Sequence, residues 1–337
     1  MIIRSEARVR APEFPKGVAW LNSEPLSMAA LKNKVILVDF WDYCSSNCIR
    51  TLPYIMEWHR RYAPYGLIVI GVHTPEFDFA KDLKNVENAV RRFGITYPVV
   101  LDNENEIWTR YANQYWPHEY LIDGEGYIVY DHVGEDPGGE SELQIQTALA
   151  KTHPTVRFPE PFHVSGAPES GSENLQTTPE LYLGFERGRL GNPVGYNPNF
   201  VVMYQDPGNH EDGPAYASGP WENRSQSLRH ARSGGGEPPG YIAIRYHARS
   251  VNAVMRPAGE SPYRVNVQQD GFPVPTDNRG ADLQQDSEGM TFVAVTEPRL
   301  YRIINNRQFG EHSLRLSSKS SSFDLYAFSF GSYESVD

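Results

Sequence analysis

The run from Lys34 to Cys48, KVILVDFWDYCSSNC, limits the fold more than any other part of the chain. Lys34–Phe40 is apolar apart from its first residue and Asp39, the pattern of a strand buried on both faces. Two cysteines follow closely. From Ser46 to about Tyr65, Ile49, Leu52, Ile55, Met56 and Trp58 form a broad helical stripe. Pro53 is expected to kink this helix, and Gly66 to end it in the left-handed conformation. Thiols therefore stand where a buried strand feeds a helix N-terminus. Unpaired N–H groups and partial positive charge there lower a cysteine pKa, from ~8.5 to ~3.5 in extreme cases.

Cys44 and Cys48 are the only two cysteines in 337 residues. A disulfide scaffold needs more, so the pair reads as a working site. Its spacing is C-x-x-x-C. Residues four apart within a helix have Cβ atoms ~5–6 Å apart, whereas a disulfide needs ~3.5–4.5 Å. Cys44 is therefore expected before the helix, with Ser45 or Ser46 as the N-cap. That displacement leaves the strength of its activation by the helix open.

Strand and helix signals alternate through the first half. Leu67–Val72 is a second buried strand and Asn85–Phe93 an amphipathic helix. Tyr97–Leu101 reads as a strand, Asn103–Asn113 as a helix, Glu119–Asp123 and Tyr127–His132 as a hairpin, and Ser141–Lys151 as a closing helix. This order predicts an α/β domain over 1–153 with a central mixed sheet and flanking helices. Residues 154–180, rich in Pro, Ser, Gly and Glu, read as a linker. Over 181–337 helical periodicity gives way to short alternating segments: Tyr241–Tyr246, Tyr263–Gln268, Thr291–Val295, Leu300–Ile304, His312–Leu316 and Asp324–Phe330. They predict an all-β sandwich, jelly-roll-like, with long loops across Asn192–Gly240.

Several separated motifs resemble the thioredoxin family, and its TlpA/DipZ-like branch in particular. Asp39-Phe40-Trp41 matches the D-F-W run before that family's active site. Cys48 falls at its second cysteine and Pro53 at its helix-kinking proline. Trp116-Pro117-His118-Glu119-Tyr120-Leu121-Ile122-Asp123 resembles its cis-proline and following strand. Asn22–Leu26, Thr51–Tyr54 and Gly71–Phe77 resemble the DipZ-like branch. The first cysteine of the family's C-x-x-C falls on Ser45, one residue after Cys44. The resemblance implies a thioredoxin fold over about 11–150 and thiol–disulfide exchange with a protein partner. Cys44 would attack, Cys48 would resolve the mixed disulfide, Asp39 would accept and return the Cys48 proton, and Pro117 would face the cysteines. Trp41, Tyr43, Ser45, Asn47, His73 and Trp116 would flank them. No diffusible cofactor is implied, because the electrons reside on the cysteines. The closing Tyr326–Gly331 resembles the last strand of a carbohydrate-binding-module-like β domain, which implies a sugar or protein contact. The plainer reading of that domain is packing or self-association.

Two other function classes fit the residues less fully. Sco-type copper proteins share the fold and the C-x-x-x-C pair, and a copper site here would draw on Cys44, Cys48 and His73 or His118. Alternatively, the chain is a non-catalytic interaction protein with a vestigial site. Peroxide reduction ranks last, since Asp42 and Tyr43 stand where peroxiredoxins carry a threonine. The net charge of −11 argues against a phosphate-backbone partner. No apolar run reaches the ~20 residues of a membrane-spanning helix. With no leader in the sequence as written, the chain reads as cytoplasmic, or as extracytoplasmic if a leader was removed. In the second half, Glu222, Asp270 and Asp324 show no paired carboxylate, and His210, His230, His247 and His312 no ligand spacing.

Overall fold

The structure is a computed structural model, which describes residues 8–136, 139–163, 175–231, 240–259 and 262–332. The chain divides into two compact units, Met1–Ser170 and Gly171–Asp337.

The first unit is built on a seven-stranded mixed sheet. Its strands are β1 (Val9–Arg10), β2 (Trp20–Leu21), β3 (Val35–Trp41), β4 (Leu67–His73), β5 (Val99–Leu101), β6 (His118–Ile122) and β7 (Tyr127–Val133), in the order β1-β7-β6-β3-β4-β5-β2. β3 lies centrally, parallel to β4 and antiparallel to β6. All seven of its residues are buried, as its apolar run requires. The helices are α1 (Ser46–Tyr62), α2 (Leu83–Phe93), α3 (Glu106–Arg110) and α4 (Glu140–Ala150). α1 starts at Ser45, whose extended backbone and side chain cap the Cys48 amide, and it contains Pro53. A short 3-10 turn, Ala63–Tyr65, then leads to Gly66 at φ 92°, a conformation that suits glycine.

One helix is shorter than its sequence pattern. Asn103–Asn113 reads as eleven helical residues, but α3 has five. Asn105 at φ 56° and Ala112 at φ 51° interrupt the backbone at either end. The Asp102 carboxylate accepts the amides of Ile107 and Trp108, which fixes where the helix starts. Beyond α4, part of the expected linker packs on the first unit. Phe158 sits edge-on to Tyr62, and Phe162 to Tyr54. The Phe162 amide donates to Glu142. Residues 164–174 of that linker lie outside the described residues.

The second unit is a hydrogen-bonded sheet of eleven strands, every ladder antiparallel. They are β8 (Leu181–Tyr182), β9 (Val201–Tyr204), β10 (Ala215–Asn223), β11 (Leu228–His230), β12 (Tyr241–Pro257), β13 (Tyr263–Gln269), β14 (Phe272–Pro273), β15 (Gln284–Gln285), β16 (Thr291–Val295), β17 (Arg299–Ser317) and β18 (Phe323–Gly331). β12 and β17 run 17 and 19 residues and pair along most of their length. Irregularities near Ala248–Ser250 break the register. Before them β12 borders β10; after them it borders β18. The long strands thus serve both layers of a sandwich, and one buried cluster including Trp221, Tyr246, Met255, Val265, Tyr301 and Leu316 fills the space between.

Two expectations for this unit are corrected. Leu300–Ile304 and His312–Leu316 are halves of one strand, because the polar stretch between them still pairs with β12. Asn192–Gly240 is not only loop: β9, β10 and β11 lie within it. Gly219 and Pro220 sit inside β10, next to β9, and disguise it as a turn. Among the described residues no helix is long and apolar enough to cross a membrane.

Candidate active site

The end of β3 and the start of α1 bring Asp39, Trp41, Asp42, Tyr43, Cys44 and Cys48 together, all buried. Cys44 stands one residue before the N-cap, outside the helix, as its spacing predicts. The Asp42 carboxylate fixes the turn: Oδ1 accepts the Cys44 amide and Oδ2 the Glu76 amide at 2.8 Å. The Ser45 amide donates to the Asp42 carbonyl at 3.2 Å, and Ser45 Oγ accepts the Cys48 amide at 3.4 Å. Both cysteines are free thiols. Ser45 is half-buried and Asn47 exposed, so the site meets solvent beside Cys44 rather than at it.

The sequence leaves activation of the thiol by the helix open, and the electrostatics of the site work against it. Burial pushes Cys44 well above the ordinary thiol value, and the nearby Asp42 and Glu76 charges add to the rise. Burial also raises Cys48, against the Ser45 hydrogen bond and with help from Asp39. A helix N-terminus activates a thiolate that it faces. Here, removal from water outweighs it.

Asp39 is fully buried, and neither of its oxygens has a hydrogen-bond partner among the described residues. Burial alone raises its pKa to about 7. Asp42 also rises to about 7, chiefly through burial and secondarily through Glu76, against the amides it accepts. Gly71 of β4 pairs with Asp39, and a Cβ there would lie 2.9 Å from Trp41 Nε1 and 3.1 Å from Tyr97. The missing side chain is what lets those rings close over the strand.

His73 ends β4, fully buried, with both ring nitrogens unpartnered among the described residues. Its Nε2 lies 3.8 Å from Asp42 Oδ2. It stacks on Tyr43 at 5.3–5.4 Å from both Tyr43 and Trp41 ring centres, and burial lowers its pKa to about 3. It is therefore neutral at physiological pH. Trp116 packs on Trp108 with ring centres 4.3 Å apart, and the Trp116–Pro117 peptide is cis, the geometry the resemblance implies. His118 is turned elsewhere: Nδ1 meets Asn113, and Nε2 meets Asp131 at 3.0 Å. Among the described residues no group of three or more His, Cys, Asp or Glu side chains is arranged to hold a metal ion.

Two site residues escaped the sequence reading. Asp42 was legible as an acid two positions before Cys44, the spacing of a side chain that caps a turn. Glu119, buried on β6 opposite Asp39, was legible only as a charge beside the apolar Tyr120-Leu121-Ile122.

Comparison with known proteins supplies the context of this geometry. Residues 7–149 match the Redoxin family, and residues 178–331 match the family described as Thioredoxin like C-terminal domain. The two matches fall on the first and second units in turn. It is 33% identical over 276 residues to Protein DipZ of Mycobacterium tuberculosis, a match covering 78% of this chain and 37% of that protein. The chain thus spans little more than a third of that relative's length. Thiol-disulfide oxidoreductase ResA of Bacillus anthracis is 28% identical over 144 residues, covering 43% of this chain and 77% of that one. Among solved structures, a thiol-disulfide isomerase from Corynebacterium glutamicum aligns at 25% identity and a TM-score of 0.38, over 42% of this chain and 97% of its own.

Proposed function

We propose that the redoxin domain exchanges disulfides with a protein partner through Cys44 and Cys48. The observation that carries this reading is the placement of the chain's two thiols, across the Ser45 cap, at the junction of β3 and α1, with the unpartnered Asp39 carboxylate buried in the same cluster. Cys44 forms the mixed disulfide because it precedes the helix and can leave its turn without unwinding α1. Cys48, held in the first turn, resolves it. Because burial raises both thiols, each sulfur needs a proton acceptor as it reacts, and Asp39, at about 7, is matched to that task at neutral pH. The relatives named as thiol-disulfide oxidoreductases support the same chemistry. In the second unit, exposed Phe200, Val201 and Met203 at β9 support a contact role towards a protein or sugar.

The role assignment is tested by trapping. Cys48→Ser is expected to accumulate a mixed disulfide through Cys44 with a disulfide-bonded model substrate, and Cys44→Ser is not. Equal trapping by the two variants overturns the assignment, and no trapping by either overturns exchange.

A further inference from the structure

Glu119 is the buried acid that the exchange reading leaves unused. It stands on β6 directly opposite Asp39 on β3 in the antiparallel register. Side chains so paired share one face of the sheet, with Cβ atoms ~4.5–5.5 Å apart. Asp39 is 0% and Glu119 1% exposed. Among the described residues, Asp39 Oδ1, Asp39 Oδ2 and Glu119 Oε2 have no hydrogen-bond partner. Three orphaned oxygens in one dry place would be costly if nothing joined them.

Among the described residues neither carboxylate is in an ion pair. Cys48 faces Asp39 from α1, and Tyr97 faces it from the approach to β5. Tyr130 on β7, Asp136 before α4 and Ser141 of α4 act on Glu119. His132 of β7 is the register neighbour of Glu119, with its ring nitrogens at Tyr130 and the Glu135 carbonyl. Gly71 contributes no side chain from β4. Two carboxylates paired across neighbouring strands in a water-poor site resist ionising together, and a proton held between them would give their orphaned oxygens a partner.

We propose that Asp39 and Glu119 act as one acid pair holding a single shared proton, with Glu119 the positioning residue that keeps Asp39 open to the Cys48 proton. The proposal rests on the exchange reading and adds the identity of its proton store. In the resolving step Cys48 Sγ bonds to Cys44 Sγ, and the bond from Cys44 to the partner's sulfur breaks. The partner leaves as a thiolate, having been reduced by the two electrons the cysteine pair gives up. The Cys48 proton passes to Asp39, and the pair goes from one shared proton to two. In the reverse direction it returns one.

The test is a pH titration of the reduced full-length protein by infrared spectroscopy, following the carboxylic-acid C=O bands that Asp39→Asn and Glu119→Gln each remove. Wild-type protein is expected to titrate in two steps separated by more than about one pH unit. Glu119→Gln is expected to leave one step, with Asp39 losing its proton at lower pH than the upper wild-type step. Asp39→Asn is expected to move Glu119 reciprocally, which keeps the test open if Glu119→Gln does not fold. Asp39 titrating unchanged in Glu119→Gln, or Glu119 unchanged in Asp39→Asn, overturns the pair. The titration needs no partner and no disulfide, so its failure leaves the exchange reading standing, and failed trapping leaves the pair standing.

Discussion

Each unit buries a fully enclosed aspartate, and the two are treated oppositely. Asp324 on β18 lies under three guanidiniums: Arg229 at 3.0 Å, Arg224 at 3.3 Å and Arg256 at 3.7 Å. Asp39 on β3 has no hydrogen-bond partner among the described residues, and the group opposite it in the sheet is another acid. The first is a structural strut, held among three cationic neighbours. The second is a group that water removal forces to hold a proton. Burial alone, then, does not mark a functional carboxylate. A buried acid without a cation is the one able to exchange protons at neutral pH.

The comparison can be broken at either end. The largest effect is expected at Asp324. Asp324→Asn leaves three guanidiniums facing one another and should destabilise the second unit by about 3–5 kcal/mol at pH 7, read from its denaturant-unfolding transition. A loss under about 1 kcal/mol would show that the arginines simply turn to solvent.

Asp39→Asn should act in the opposite sense. The folded-state pKa of Asp39 is raised to about 7, against ~3.9 for an unfolded chain. The folded protein therefore holds a proton that the unfolded chain has released. Stability is fully present below about pH 4 and is lost as pH rises through about 7. Asp39→Asn removes that loss, so the variant should be more stable than wild type by on the order of 4 kcal/mol above pH 8 and indistinguishable from it below pH 4. The same variant should slow exchange at neutral pH. A variant no more stable than wild type at pH 8 would place Asp39 among the struts.

The smallest expected effect is at the cap. Ser45→Ala should cost about 1 kcal/mol through the lost bond to the Cys48 amide and raise the Cys48 thiol further, since Ser45, ahead of the Asp42 backbone, opposes its rise. Melting temperature and the pH dependence of Cys48 alkylation read the two parts separately. An unchanged alkylation profile would make the cap purely structural.

Legibility in the sequence follows the range of the interactions involved. β3 and α1 could be read because their signals are local: an apolar run, a cap, a helical stripe and Gly66. The displacement of Cys44 to before the helix followed from bond geometry alone. β10 was hidden by Gly219 and Pro220, and α3 was cut short by the Asp102 carboxylate reaching to Ile107 and Trp108. The continuity of β17 depends on pairing with β12 and is not written in its own residues. At the site, the motif-bearing residues were readable, but the partnership of Asp39 with Glu119 depends on a strand register 80 positions away along the chain. The raised thiols likewise follow from burial by the whole domain, whereas the helix N-terminus on its own predicts lowered ones.

The central claim is that Cys44 and Cys48 form a reversible disulfide despite the extra residue between them. Equilibrating the full-length protein in glutathione buffers of graded potential, and counting free thiols at each, measures this directly. One two-electron transition is expected, in which both thiols disappear together and return on reduction, at a potential that falls with rising pH as long as the reduced pair holds its protons. Thiols that stay free across the whole range, or that are lost singly to glutathione, would contradict it.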